Sequence, residues 1–362
     1  MPTRGYVLER GSLDELLGAI SQRGFRLIGP VVHDGAICYE PISSSADLPV
    51  GWTDRQEAGS YRLERRDDEA VFGFNVGPQG WKRYLFPPSE RLRSDVTAEP
   101  LAFIGVRACE LKAIDIQDRV FLGGAHPDPS YAARRAGIFI VAVNCGQSAA
   151  TCFCVSMESG PGVSRGYDLA LTELPDRFVV DVGSSRGASV LEGIGGLRRA
   201  SPEDVEASTE VVDRAAAQQV RAMPGGPDLR DLLYDNLEHP RWDEVADRCL
   251  SCGNCTMVCP TCFCFSVTDG FSELADGSGE RTRSWDSCFT LGHSYQHGGP
   301  VRSSVKARYR QWATHKLATW HDQFGTAGCV GCGRCVAWCP VGIDITEEVA
   351  AIADSATAAE CP

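Results

Sequence analysis

Cys249, Cys252, Cys255 and Cys259 follow the spacing C-x2-C-x2-C-x3-C with Pro260 next, and the spacing returns as Cys329, Cys332, Cys335 and Cys339 with Pro340 next. Thiolates are soft ligands that select zinc or iron–sulfur centres. Zinc sites usually offer two pairs of ligands, whereas four thiols at this spacing before a proline suit a [4Fe–4S] cubane, three closing round one cluster and the fourth reaching the next. The spacing therefore predicts one cluster on Cys249, Cys252, Cys255 and Cys339, and a second on Cys329, Cys332, Cys335 and Cys259. Gly253, Gly331 and Gly333 beside these ligands would let backbone N–H groups approach the sulfurs. Pro260 and Pro340 would turn the chain away from the second site.

A third site is expected elsewhere. LAFIGV (101–106) and GIFIVAVN (137–144) are short apolar runs, and CELKAIDIQDRVFL (109–122) between them has helical periodicity. Strand, helix, strand is the reading, with the two strands parallel. Cys109 then lies just past the first strand and Cys145 just past the second, at the carboxyl ends where open α/β sheets place ligands. Neighbouring strands run about 5 Å apart, so these thiols can converge with Cys152 and Cys154 on a third [4Fe–4S] cluster. Two cubanes would carry about eight irons and three about twelve. The triplet Cys152-Phe153-Cys154 recurs as Cys262-Phe263-Cys264. Cys262, Cys264 and Cys288 read as small apolar residues packed beside the clusters, the alternative being ligands to a further metal with His293 or His297.

The elements that must hold these residues are legible in outline. SLDELLGAISQR (12–23) reads as a helix with a capping box of Ser12 and Glu15 and a stop at Gly24. FRLIGPVV (25–32), GAICYEPI (35–42), AVFGFN (70–75) and FVVDV (178–182) read as strands, and 202–223 and 228–238 as helices broken at Pro224-Gly225-Gly226-Pro227. The expected fold is α+β: an N-terminal α/β domain over 1–240, carrying the third site, and a mostly helical two-[4Fe–4S] ferredoxin-like domain over 241–362. A long insertion separates Cys259 from Cys329 and includes the helical stretch VKARYRQWATHKLATW (305–320).

A chain of 362 residues with 43% hydrophobic and 23% charged residues can bury a sizeable core. Its net charge of −13 would repel a phosphate backbone, so nucleic acid is not an expected partner. MPTRGYVLERGSLDE has no signal-peptide pattern, and no apolar run is long enough for a membrane helix. A cytoplasmic, reducing setting is expected, where the regularly spaced among the 17 cysteines serve as metal ligands or catalytic thiols rather than disulfide partners. Cys38 and Cys361 read as ordinary non-ligand cysteines. No G-x-G-x-x-G, P-loop or H-E-x-x-H motif is present, so the chain is expected to lack a nicotinamide or flavin site of its own. His33, His126 and His239 suggest no acid–base role.

GVRACELKAID (105–115), AVNCGQSAATCFCVSMESGPG (142–162), RCLSCGNCTMVCPTCFCFSVTD (248–269), RTRSWDSC (281–288), RYRQWATHK (308–316) and CVGCGRCVAWCPVGIDI (329–345) together resemble one family. It is the iron–sulfur (beta) subunit of cytosolic sulfhydrogenases, which are NADP-coupled NiFe hydrogenases, shared with the A subunit of anaerobic sulfite reductases. The resemblance implies an electron relay from a flavin-bearing, NAD(P)H-oxidising partner to NiFe hydrogenase small and large subunits, or in the alternative to a sirohaem subunit. It also favours Cys109, Cys145, Cys152 and Cys154 as ligands. Arg in place of Lys, with abundant Ala and Gly, inclines the reading to the hydrogenase. A cysteine-rich zinc protein that mediates contacts is the reading from a different class, and it would be colourless.

Overall fold

A computed structural model describes residues 3–92, 96–224, 228–271 and 279–359. Its largest sheet has eight strands in the spatial order Arg198–Arg199, Thr3–Glu9, Arg177–Val182, Leu169–Glu173, Ile138–Val143, Leu101–Val106, Arg26–His33 and Ala36–Pro41. The Leu101–Val106 strand pairs in parallel with both neighbours, and Ile138–Val143 also runs parallel to Leu169–Glu173; the outer pairings are antiparallel. The strand–helix–strand expectation is met by Leu101–Val106, the helix Ala108–Phe121 and Ile138–Val143.

Ile138–Val143 is buried along its whole length, as a strand covered on both faces must be. Phe139, Val141 and Val143 enter one core with Leu16, Leu17 and Ile20. Ile138, Ile140 and Ala142 enter the other with Ile114 and Phe121. That alternation is the two-residue period of a strand. Leu13, Leu16, Leu17 and Ile20 are the buried face of the helix Leu13–Ser21, each such burial contributing about 1.5–3 kcal/mol.

Several local expectations fail for physical reasons. Ser12 makes no side-chain cap, because Arg10–Ser12 is a 3-10 turn that leaves Ser12 at φ −91°, ψ 8° rather than extended. Gly24 does end that segment at φ +87°. AVFGFN is not a strand. The Arg107 guanidinium donates to the carbonyls of Phe72 (2.7 Å) and Phe74 (2.8 Å), and the Glu173 carboxylate accepts from the N–H groups of Val71 (2.7 Å) and Phe72 (2.8 Å). With these backbone groups already satisfied by side chains, no ladder is needed. The expected helix over 202–223 ends earlier, as Pro202–Ala217, and that over 228–238 spans Leu229–Asp235. Gly225, Gly226 and Pro227 lie outside the described residues.

Beyond residue 240, helices gather round Trp242, Val245, Tyr309, Trp312, Leu317, Val349 and Ile352. The insertion is helical from Val305 to Phe324, interrupted by a π-helical turn at His315–Thr319. Its earlier part is a hairpin, Phe265–Phe271 paired with Gly279–Trp285, to which Ser89–Arg91 adds a third strand. The turn of the hairpin Trp52–Glu57/Ser60–Arg65 reaches the same region, where Gly59 donates to the Val336 carbonyl at 3.0 Å. A Cβ on Gly59 would stand 3.0 Å from the Cys339 carbonyl oxygen.

Candidate iron–sulfur centres

The two cysteine runs fold alike. In the first, Ser251 (φ +52°) and Gly253 (φ +76°) flank Cys252 in left-handed backbone; in the second, Gly331 (φ +60°) and Gly333 (φ +73°) flank Cys332. Each run then enters a short helix, Asn254–Met257 or Arg334–Ala337. Alternating left-handed residues curl the loop so that successive thiols face inward. The Ser251 N–H points at the Cys249 sulfur at 3.4 Å, and the Gly331 N–H at the Cys329 sulfur at 3.5 Å.

Cys249, Cys252, Cys255 and Cys339 line one cavity walled by Phe289, Tyr309, Trp312 and Ile343. The fourth cysteine of the second run thus joins the first three of the first run. Cys335 also lines this cavity and stands in the field of Cys329, Cys332, Cys259 and Cys255. Burial first, and then the neighbouring sulfurs, pushes the Cys335 thiol well up. Burial pushes Cys329 up to about 12 and also raises Cys332, with Cys259 adding to both. Cys259 therefore sits with the second run. Cys252 is exposed, so the first cage opens to solvent on that side.

The third set also comes together. Cys109 is raised first by burial and then by Cys332, Cys154 and Cys145; Cys152 by burial, Cys154 and Cys145. Burial and then Cys145 bring Cys154 to about 12, although the Gln219 amide donates to its sulfur at 3.0 Å. Gly331 and Gly333 press the second run on this loop. A Cβ on Gly331 would lie 2.5 Å from the Phe153 carbonyl oxygen, and one on Gly333 2.4 Å from that of Thr151. This docking puts Cys332 in one buried cluster with Cys109 and Cys154.

A family model described as a 4Fe-4S dicluster domain matches residues 248–343. The chain is also 31% identical over 323 residues to sulfhydrogenase 2 subunit beta of Pyrococcus furiosus, across 88% of this chain and 90% of that protein. It belongs to the sulfhydrogenase beta-subunit family. No solved structure matches it.

For a sulfhydrogenase beta-family chain, the donor set fits iron–sulfur clusters. Burial makes several of these thiols, Cys109, Cys152, Cys255 and Cys335 among them, hold their protons tightly, and bound metal supplies positive charge in the proton's place. Among the described residues no three His, Cys, Asp or Glu side chains converge as a single ion requires. Thiols round a cubane bind separate irons and need no common point. No helix of the described residues is long and apolar enough to cross a membrane.

Two groups of residues had no sequence signal for their roles. Glu110 and Arg334 form a fully buried ion pair at 2.6 Å, and Glu110 also accepts from Tyr39 (2.8 Å) and Trp81 (3.0 Å). Lys316 donates to the sulfurs of Cys259 and Cys262 at 3.3 and 3.6 Å. Cys288 packs against the core beside Cys249 and Cys255, while Cys262 also faces the Lys316 ammonium and Cys264 meets polar partners. Hydrogen bonds from Cys288 and His293 hold the Cys264 thiol below the usual range, and Asp286 lies 3.3 Å from His293 Nδ1. His33 pairs with Glu40 at 2.7 Å on the surface, and His239 meets Ser355 at 2.6 Å. Cys361 lies outside the described residues.

Proposed function

We propose that this chain is the electron-transfer subunit of an NAD(P)-linked NiFe hydrogenase, relaying electrons between a flavin-bearing, NAD(P)H-oxidising partner and the hydrogenase small and large subunits. Two [4Fe–4S] clusters, on Cys249, Cys252, Cys255 and Cys339 and on Cys329, Cys332, Cys335 and Cys259, form its core. A third, on Cys109, Cys145, Cys152 and Cys154, extends the path into the α/β half. The observation that supports this most is the exchange of the fourth cysteine between runs, Cys339 lining the cavity of Cys249, Cys252 and Cys255. The similarity to a named sulfhydrogenase subunit favours the hydrogenase as the complex served.

Bound clusters supply one-electron chemistry; the chain's own residues set where and at what potential. Phe289, Tyr309, Trp312 and Ile343 give the first cage an apolar wall away from its open Cys252 edge, and the Ser251 and Gly331 N–H groups stabilise negative charge on sulfur. The exposed Cys252 edge is the natural side for exchange with a partner. Cys335→Ser should abolish NADPH-coupled turnover of the purified complex while hydrogen uptake with an artificial dye persists. Loss of both activities from a fully assembled complex would count against a relay.

A further inference from the structure

Only four lysines occur in this arginine-dominated chain, and two of them, Lys82 and Lys316, are buried near Cys262. Lys316 is 5% exposed and projects from the π-helical turn His315–Thr319, a backbone irregularity that often marks functional positions. Its ammonium meets Cys259 Sγ at 3.3 Å, Cys262 Sγ at 3.6 Å, Thr261 Oγ1 at 3.1 Å and the Gly328 carbonyl at 3.0 Å. Gly328 in turn donates to the Lys316 carbonyl at 2.7 Å, so the residue is pinned through both backbone and side chain beside Cys329. Lys82 is 7% exposed, donates to the Cys262 carbonyl at 3.2 Å and lies 3.8 Å from the centre of the Trp285 ring. Among the described residues neither ammonium forms an ion pair with a carboxylate, whereas Lys112 and Lys306 both do.

A buried ammonium without a counter-charge is costly, so something anionic must face it. The sulfurs of Cys259 and its neighbours are the groups within reach. We infer that Lys316, backed by Lys82, is the built-in counter-charge of the cluster on Cys329, Cys332, Cys335 and Cys259, and that it holds the reduction potential of that cluster up. Reduction adds one electron and one negative charge; a fixed cation touching a ligand sulfur stabilises the reduced state more than the oxidised one. Lys316 is thus a tuning residue acting through Cys259. This assignment rests on the cluster reading above.

The test is a dithionite titration followed by paramagnetic resonance, on the full chain purified anaerobically as wild type, K316M, K316R and K82M, with iron counted in each. K316M should keep its iron while one reduction wave moves negative by a tenfold change in the one-electron equilibrium, which is 59 mV; K316R should largely restore it. Unmoved waves in an iron-replete K316M overturn the inference. If K316M loses iron, K82M decides, since Lys82 touches a carbonyl and no sulfur: a smaller shift in the same direction supports the inference, and no shift overturns it. A wild-type chain with clusters and unmoved variants sinks the lysine assignment alone, whereas an iron-free wild type sinks the cluster reading as well.

Discussion

Cys264 illustrates how much a single residue's chemistry depends on what folds against it. It precedes the Phe265–Phe271 strand, and Cys288 follows the partner strand Gly279–Trp285, so the hairpin register brings the two thiols to its open end. There Cys288 and His293 hydrogen-bond to Cys264 and lower its proton affinity, while the Cys264 sulfur raises that of His293. The lowered direction means that Cys264 stays a thiolate below the pH at which free thiols protonate, and thiolate is the nucleophile. Anaerobic alkylation at pH 6 should therefore modify Cys264 first among the non-ligand cysteines. His293→Ala should slow that reaction by about tenfold for each unit its thiol rises above the working pH. Equal rates in the two proteins, read by peptide mass, would show that the imidazole does not hold the thiolate. Sequence alone gave Cys262, Cys264 and Cys288, with His293 or His297 as alternative partners at a further metal. It could not choose between the two histidines or show that Asp286 joins His293, because that depends on the hairpin register.

At the scale of elements, the parts set by periodicity were readable and the parts set by distant side chains were not. Leu101–Val106 and Ile138–Val143 declare themselves as apolar runs, and Ala108–Phe121 by its buried Leu111, Ile114 and Phe121. AVFGFN carries a strand's residues, but Arg107 and Glu173 take its backbone groups. Ser12 and Glu15 have a capping box's spacing, yet the turn ahead of Ser12 denies it the extended backbone a cap needs. The same long-range dependence governs the joint between elements. Arg334 begins the short helix of the second run and reaches Glu110 in the first turn of Ala108–Phe121, with side chains 0% and 1% exposed. Arg334→Met leaves that carboxylate buried without its cation, although Tyr39 and Trp81 still donate to it. A loss of about 3–5 kcal/mol is expected, read by chemical denaturation of wild type and variant. A change below about 1 kcal/mol would show that the pair does not hold the two elements together.

Across the whole molecule, the two cysteine runs were legible because cluster ligands obey fixed spacings, and the convergence of Cys109, Cys145, Cys152 and Cys154 followed from where parallel strands end. The interlocking of the two halves was not legible. Gly59 touches the Cys339 segment, Ser89–Arg91 pairs with the insertion's hairpin, and Gly331 docks on the Phe153 loop. Each of these contacts joins residues far apart in sequence through backbone hydrogen bonds and close backbone approach. They bring Cys332 beside Cys109 and Cys154, the arrangement an electron path through the molecule would need. An electron relay requires that the gathered thiols hold iron. Iron and acid-labile sulfide should be measured on the anaerobically purified chain, with its paramagnetic resonance spectrum after dithionite. About twelve irons are expected for three [4Fe–4S] clusters, and about eight if only the paired runs are filled. A pale preparation holding zinc, or no metal, and showing no reduced-cluster signal would contradict the central claim.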